Sequence, residues 1–140
     1  MTKQSRELSQ QEKAELLKLA TSYRQKAYIP YSHFAVGAAV LTAQGNYYGG
    51  CNIENASYGA TNCAERTAIF KAVSEGEQDI VALAVIADTA EPVTPCGICR
   101  QVIAEFAIPV IVMGNLQGAT QTVDWKQLLP GAFLAKDMNK

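Results

Sequence analysis

The pattern of hydrophobic segments predicts an α/β protein: a three-layer α-β-α sandwich around a mixed sheet of about five strands, the last two antiparallel. Three observations carry this. Ile80–Ala87 is a continuous apolar run, the pattern of a strand covered on both faces. Helical and strand-like segments follow in the order α-β-β-α-β-α-β-β, which packs helices on both faces of one sheet. Only Asn115-Leu116-Gln117-Gly118 separates the last two strands, too short a link for a crossover helix. The 140 residues read as one domain, residues 1–140.

The elements follow in order. Ser9-x-x-Glu12 reads as a capping box, and Leu16, Ala20, Tyr23 and Ala27 continue it at helical spacing, with Pro30 as the end. Phe34–Thr42 and Asn46–Asn52 read as strands joined by a tight turn at Gln44-Gly45-Asn46, hence an antiparallel hairpin. A second helix is expected from Asn62 to about Ser74, closed by Gly76. Thr94 is placed to cap a third helix, with Pro95 at its first position and its end near Phe106. Pro109–Met113 reads as a buried strand and Ala119–Val123 as a short one. A short helix around Trp125–Leu129 closes the fold.

Composition narrows the function. Hydrophobic residues make up 49% and charged ones 18%, enough apolar material for a core. A net charge of −1 and a pI of about 5.8 give no clustered basic surface, which argues against a nucleic-acid partner. No apolar run approaches the ~20 residues of a membrane span. The polar Met1–Lys18 lacks the apolar stretch of a signal peptide, so a cytoplasmic protein is expected. In a reducing compartment, Cys51, Cys63, Cys96 and Cys99 point to metal or thiol chemistry before disulfides. The single His33 cannot supply a multi-histidine metal site.

Chemistry concentrates in Cys63-Ala64-Glu65 and Pro95-Cys96-Gly97-Ile98-Cys99. Three thiolates bind Zn²⁺ and leave its fourth tetrahedral position open, as a catalytic site requires. At helix N-termini they gain from the dipole and the free N–H groups. Glu65 is placed to act on a water there as general base. A cation beside the sulfurs would offset the net negative charge of the cluster; Arg66 is the first candidate and Arg100 competes with it. Blander readings stand beside these. Asn62-x-x-Glu65 also fits a capping box. Cys51 as a fourth ligand would make the site structural, and Cys96-Gly97-Ile98-Cys99 has the spacing of a redox pair.

Together with Tyr28-Ile29-Pro30-Tyr31-Ser32-His33-Phe34, Gly50-Cys51-Asn52-Ile53-Glu54-Asn55, Arg66-Thr67, Arg100-Gln101 and Leu128-Leu129-Pro130-Gly131-Ala132-Phe133, these segments resemble the small homotetrameric cytidine deaminases with three cysteine zinc ligands. The resemblance spans nearly the whole chain. It implies one Zn²⁺ per chain on Cys63, Cys96 and Cys99, with Glu65 shuttling protons. It implies that Asn52 and Glu54 hold the ribose 3′-hydroxyl, that Phe34 packs on the pyrimidine and that the Ala64 backbone helps read the base edge. Phe133 would reach into a neighbouring subunit's site in a homotetramer. The implied reaction is hydrolytic deamination of free cytidine and deoxycytidine to uridine and deoxyuridine, with loss of ammonia, in pyrimidine salvage. A related deaminase acting on another cytosine compound, such as a nucleoside antibiotic, is the alternative, and a non-catalytic structural zinc protein a further one. Ile98 departs from the small residue often found between the ligands; the departure is expected to spare the metal and reshape packing near the base.

Overall fold

The computed structural model describes residues 7–138; the first six residues of the polar N-terminal stretch lie outside them. Helix α1 (Gln10–Arg24) opens on the expected capping box: Ser9 Oγ accepts the Glu12 N–H and Glu12 Oε1 accepts the Ser9 N–H, both at 3.0 Å. It ends at Arg24, not near Pro30, and Ala27 lies beyond it. Further on, the chain is already committed to extended pairing. The Tyr28 N–H donates to the Asn52 carbonyl at 3.0 Å, and the Tyr28 carbonyl accepts the Glu54 N–H at 2.9 Å.

The hairpin strands are β1 (Val36–Thr42) and β2 (Tyr47–Cys51), with Gly45 at the turn at φ +91°, a conformation that favours glycine. Next come α2 (Ala64–Ser74), β3 (Ile80–Ala87), α3 (Gly97–Glu105), β4 (Val110–Asn115), β5 (Thr120–Val123), α4 (Trp125–Leu128) and α5 (Ala135–Met138). A 3₁₀ turn at Tyr58–Ala60 and α5 add to the expected elements. The five strands form one sheet in the order β2-β1-β3-β4-β5. β3 and β4 are parallel, and every other pair, β4 with β5 included, is antiparallel. No described helix is long and apolar enough to cross a membrane.

Strand alternation divides the core between two faces. Ala38 and Val40 of β1 face the layer of α2 and α3, packing with Ala68, Ile69, Ala72 and Ile103. Ala39 and Leu41 face α1, packing with Leu16 and Ala20. All eight residues of β3 are buried, which explains its unbroken apolar run. This is the expected three-layer sandwich.

Helix α3 begins two residues later than Thr94 and Pro95 suggest, with Cys96 as its N-cap. Its first backbone bond runs from the Arg100 N–H to the Cys96 carbonyl at 2.9 Å, while the Pro95 carbonyl is taken by Arg100 Nε at 2.9 Å. Helix α2 likewise has Cys63 as N-cap.

Two close approaches fix the helices on the sheet. A Cβ on Gly37 would stand 1.9 Å from the Ala20 carbonyl oxygen of α1. One on Gly50 would stand 2.6 Å from the Ala68 nitrogen and 2.9 Å from the Ala64 oxygen. These contacts are backbone and cannot rotate away. Gly50→Ala is therefore expected to destabilise the fold by ~1–3 kcal/mol, the usual cost of overpacking, read as a lower urea midpoint. Gly59→Ala, where nothing lies within 4 Å, is the control and should unfold near the wild-type midpoint.

One buried group gives no sequence signal. Glu77, in the α2–β3 link, accepts Thr42 Oγ1 at 2.6 Å, Asn46 Nδ2 at 3.0 Å and the Tyr48 hydroxyl. The Thr42 and Tyr48 bonds hold its carboxyl below the usual range. It fastens the far end of α2 to the β1–β2 hairpin.

Candidate active site

β2 and β3 both run antiparallel to β1, so they run parallel to each other. The helices that follow them, α2 and α3, therefore start at the same end of the sheet, with Cys63 and Cys96 as their N-caps. Cys99 lies one turn into α3. The sulfurs of Cys63, Cys96 and Cys99 lie within 4.8 Å of one another, and Cys63 Sγ is 3.6 Å from Cys96 Sγ. Two sulfurs at ~2.3 Å from one tetrahedral ion stand about 3.8 Å apart, so the spacing and the donor chemistry fit Zn²⁺. Cys51 lies outside this cluster, buried at the end of β2.

The surroundings of Cys63 favour thiolate. Neither capping cysteine spends its side chain on the helix backbone, and the first-turn N–H groups lack intrahelical partners. Arg66 Nη2 donates to Cys63 Sγ at 3.2 Å. Arg100 is engaged elsewhere, donating to the Pro95 and Leu128 carbonyls. The Cys63 thiol is drawn down to about 5, first by its hydrogen bond with Cys99 and then by those with Arg66 and Cys96. Cys99 moves the opposite way, raised by the bond shared with Cys63 and by burial.

Glu65 lies in the first turn of α2 and is only 4% exposed. The capping-box reading of Asn62-x-x-Glu65 does not form: Asn62 Nδ2 donates instead to Thr67 Oγ1 at 2.9 Å. Burial, with the Cys63 charge adding to it, pushes the Glu65 carboxyl up to about 7. The buried Ala64 beside it is the first residue of α2. Thr67 was not anticipated as a site residue. Its hydroxyl lies 3.0 Å from the Cys51 carbonyl and 3.2 Å from the Cys63 carbonyl, tying the metal-side end of α2 to β2.

A second group assembles around residues 31–36. Asn52 Nδ2 donates to the Phe34 carbonyl at 2.8 Å, and Asn52 Oδ1 accepts the Val36 N–H at 3.0 Å. Glu54 Oε1 accepts the N–H groups of Tyr31 and Ser32, and Oε2 accepts the Ser32 hydroxyl. That hydroxyl, with the two N–H groups, holds the Glu54 carboxyl below its usual range. A cavity of about 380 Å³ opens beside it, lined by Tyr31, Ser32, Glu54, Tyr58 and Thr61. Phe34 is 42% and Phe133 60% exposed on the single chain. Phe133 is tethered to α3 through its carbonyl, which accepts Gln101 Nε2 at 2.6 Å. Ile98, 63% exposed, projects away from the core. The sequence offered no cue to Ser32 or Gln101 beyond their place inside the quoted motifs.

As a class, this is a zinc hydrolase: the cluster among the described residues offers three cysteine donors, one short of a closed tetrahedral shell, and the buried Glu65 carboxylate lies two residues from one of them. The zinc-binding region of cytidine and deoxycytidylate deaminases matches residues 10–115, so the chain belongs to the cytidine deaminase family. It is 60% identical over 126 residues to a cytidine deaminase of Halalkalibacterium halodurans, covering 89% of this chain and 96% of that one. To a cytidine deaminase of Sporosarcina psychrophila it is 56% identical over 119 residues, 83% of this chain and 87% of that one. The crystal structure of cytidine deaminase from Burkholderia pseudomallei superposes with a TM-score of 0.83 at 47% identity, covering 86% of this chain and 98% of that one.

Proposed function

We propose that the chain deaminates free cytidine and deoxycytidine by hydrolysis, giving uridine or deoxyuridine and ammonia, in pyrimidine salvage in the cytoplasm. The observation that carries this reading is the meeting of three cysteine sulfurs within 4.8 Å at two helix N-termini, with buried Glu65 two residues from one of them. Cys63, Cys96 and Cys99 hold one zinc, which when bound supplies Lewis acidity that lowers the pKa of a coordinated water to about 7. Glu65 takes one proton from the attacking water and delivers it to N3 of the cytosine; it then takes the proton of the new C4 hydroxyl and delivers it to the amino group, so that ammonia leaves as the C4 carbonyl forms. Its burial keeps bulk water from competing for that proton. Arg66 offsets the thiolate charge, so that three sulfurs do not blunt the metal's acidity.

Asn52 and Glu54 read the ribose 3′-hydroxyl, Phe34 packs on the pyrimidine and the Ala64 N–H, free at the helix start, contacts the base edge. Phe133 closes the site of a neighbouring subunit in a homotetramer; its exposure, with that of Phe34, Tyr58 and Phe70, supports burial in an assembly. A closed structural zinc centre is disfavoured because Cys51 stands apart from the cluster. The test is a spectrophotometric assay of cytidine with and without a chelator. Conversion to uridine that stops on chelation and returns with zinc is the expected outcome; no conversion by zinc-loaded protein would sink the reading.

A further inference from the structure

We infer that Ser32 is a positioning residue for this reaction, its one hydroxyl joining the carboxylate that reads the sugar to the ring that packs on the base. The inference rests on the substrate reading above. The Ser32 hydroxyl has one proton and two lone pairs. It gives the proton to Glu54 Oε2. It also accepts the Phe34 N–H at 3.0 Å, a serine turn that closes over His33. His33 sits at φ +58°, a conformation uncommon for a residue other than glycine. Its own N–H is held by the Ile29 carbonyl at 3.1 Å.

The relay continues past the ring. The Phe34 carbonyl accepts Asn52 Nδ2, and Asn52 Oδ1 holds the Val36 N–H where β1 begins. Phe34 is thus anchored on its N–H by Ser32, which bonds Glu54, and on its carbonyl by Asn52, itself half of the sugar-reading pair. Glu54 Oε1 is already occupied by the Tyr31 and Ser32 N–H groups, so the serine hydroxyl is what sets the direction of Oε2. Without it that oxygen is free to turn towards the neighbouring cavity, and the Phe34 N–H loses its acceptor. The bond network couples where the sugar binds to where the base stacks, which makes Ser32 a determinant of sugar discrimination and not of the proton transfer at Glu65.

The experiment compares wild type, Ser32→Ala and Ser32→Thr on cytidine and 3′-deoxycytidine, with zinc content and unfolding midpoint measured alongside. Ser32→Ala is expected to raise KM for cytidine about tenfold, the scale of one lost charge-assisted hydrogen bond. Its kcat should stay within about threefold of wild type, because Glu65 and the cysteines are untouched. Its preference for cytidine over 3′-deoxycytidine should shrink by a similar factor to the KM change, while Ser32→Thr, which keeps the hydroxyl, retains that preference. Ser32→Cys, near-isosteric but a weak donor, should show the same change in smaller degree and serves if Ser32→Ala does not accumulate. Equal losses on both substrates, or an unchanged KM and preference, would overturn the inference while leaving the deaminase reading intact. A zinc-loaded wild type with no activity on cytidine overturns both.

Discussion

Glu65→Gln is expected to lower turnover of cytidine by ~10²–10⁴-fold, the usual contribution of a positioned general acid–base group, with one zinc per chain retained. Glutamine keeps the shape of the side chain and much of its hydrogen bonding, but it cannot take a proton from water and deliver it to N3. The buried position of Glu65 shields it from bulk solvent that could otherwise take over its role. Single-turnover kinetics with metal counting make the comparison, and near-normal turnover would reduce Glu65 to a structural role. The same variant tests the shared site. Mixing Glu65→Gln chains with Phe133→Ala chains should restore activity after subunit exchange, because some sites then combine an intact Glu65 with a neighbour's intact Phe133. Demonstrated exchange without any recovery would confine Phe133 to its own subunit.

Cys63→Ala, Cys96→Ala and Cys99→Ala are each expected to lose stoichiometric zinc and, with it, measurable activity. Two remaining thiolates provide only half of a tetrahedral shell. Cys51→Ser should keep both metal and turnover, since Cys51 lies outside the cluster and its carbonyl, not its thiol, meets Thr67. Elemental analysis after dialysis decides the matter, and a Cys51→Ser chain that sheds its zinc would contradict the open site.

The sandwich was legible because its strongest signals are local and periodic. Ile80–Ala87 announces a strand covered on both sides, and Ser9 with Glu12 announces a helix start. The helix limits were less legible where long-range bonds decide them. Tyr28 leaves α1 behind because Asn52 and Glu54 claim its backbone, and neither is near it in sequence. Thr94 and Pro95 look like a helix start, yet the Arg100 side chain takes the Pro95 carbonyl and moves the cap to Cys96. At the candidate site the sequence motifs already named Cys63, Cys96 and Cys99 together; what they do not contain is the shared direction of β2 and β3 that brings Cys63 to the other two. The roles of Ser32, Thr67 and Glu77 depend on bonds across 16 to 35 positions of chain, and no window of sequence contains them.

Helix α2 is pinned at both ends by protein alone. Near its start, Gly50 presses against its backbone and Thr67 bridges Cys51 to Cys63; beyond its end, Glu77 ties the chain to the hairpin. The donor cage is therefore stiff, and stiffness translates into metal selectivity. A tetrahedral ion would take the sulfurs with little rearrangement, whereas an ion preferring a square-planar or octahedral shell would have to draw them into another arrangement against that stiffness. The glycine and the distant carboxylate, neither of them among the three cysteines, would thereby weigh on which element the centre accepts.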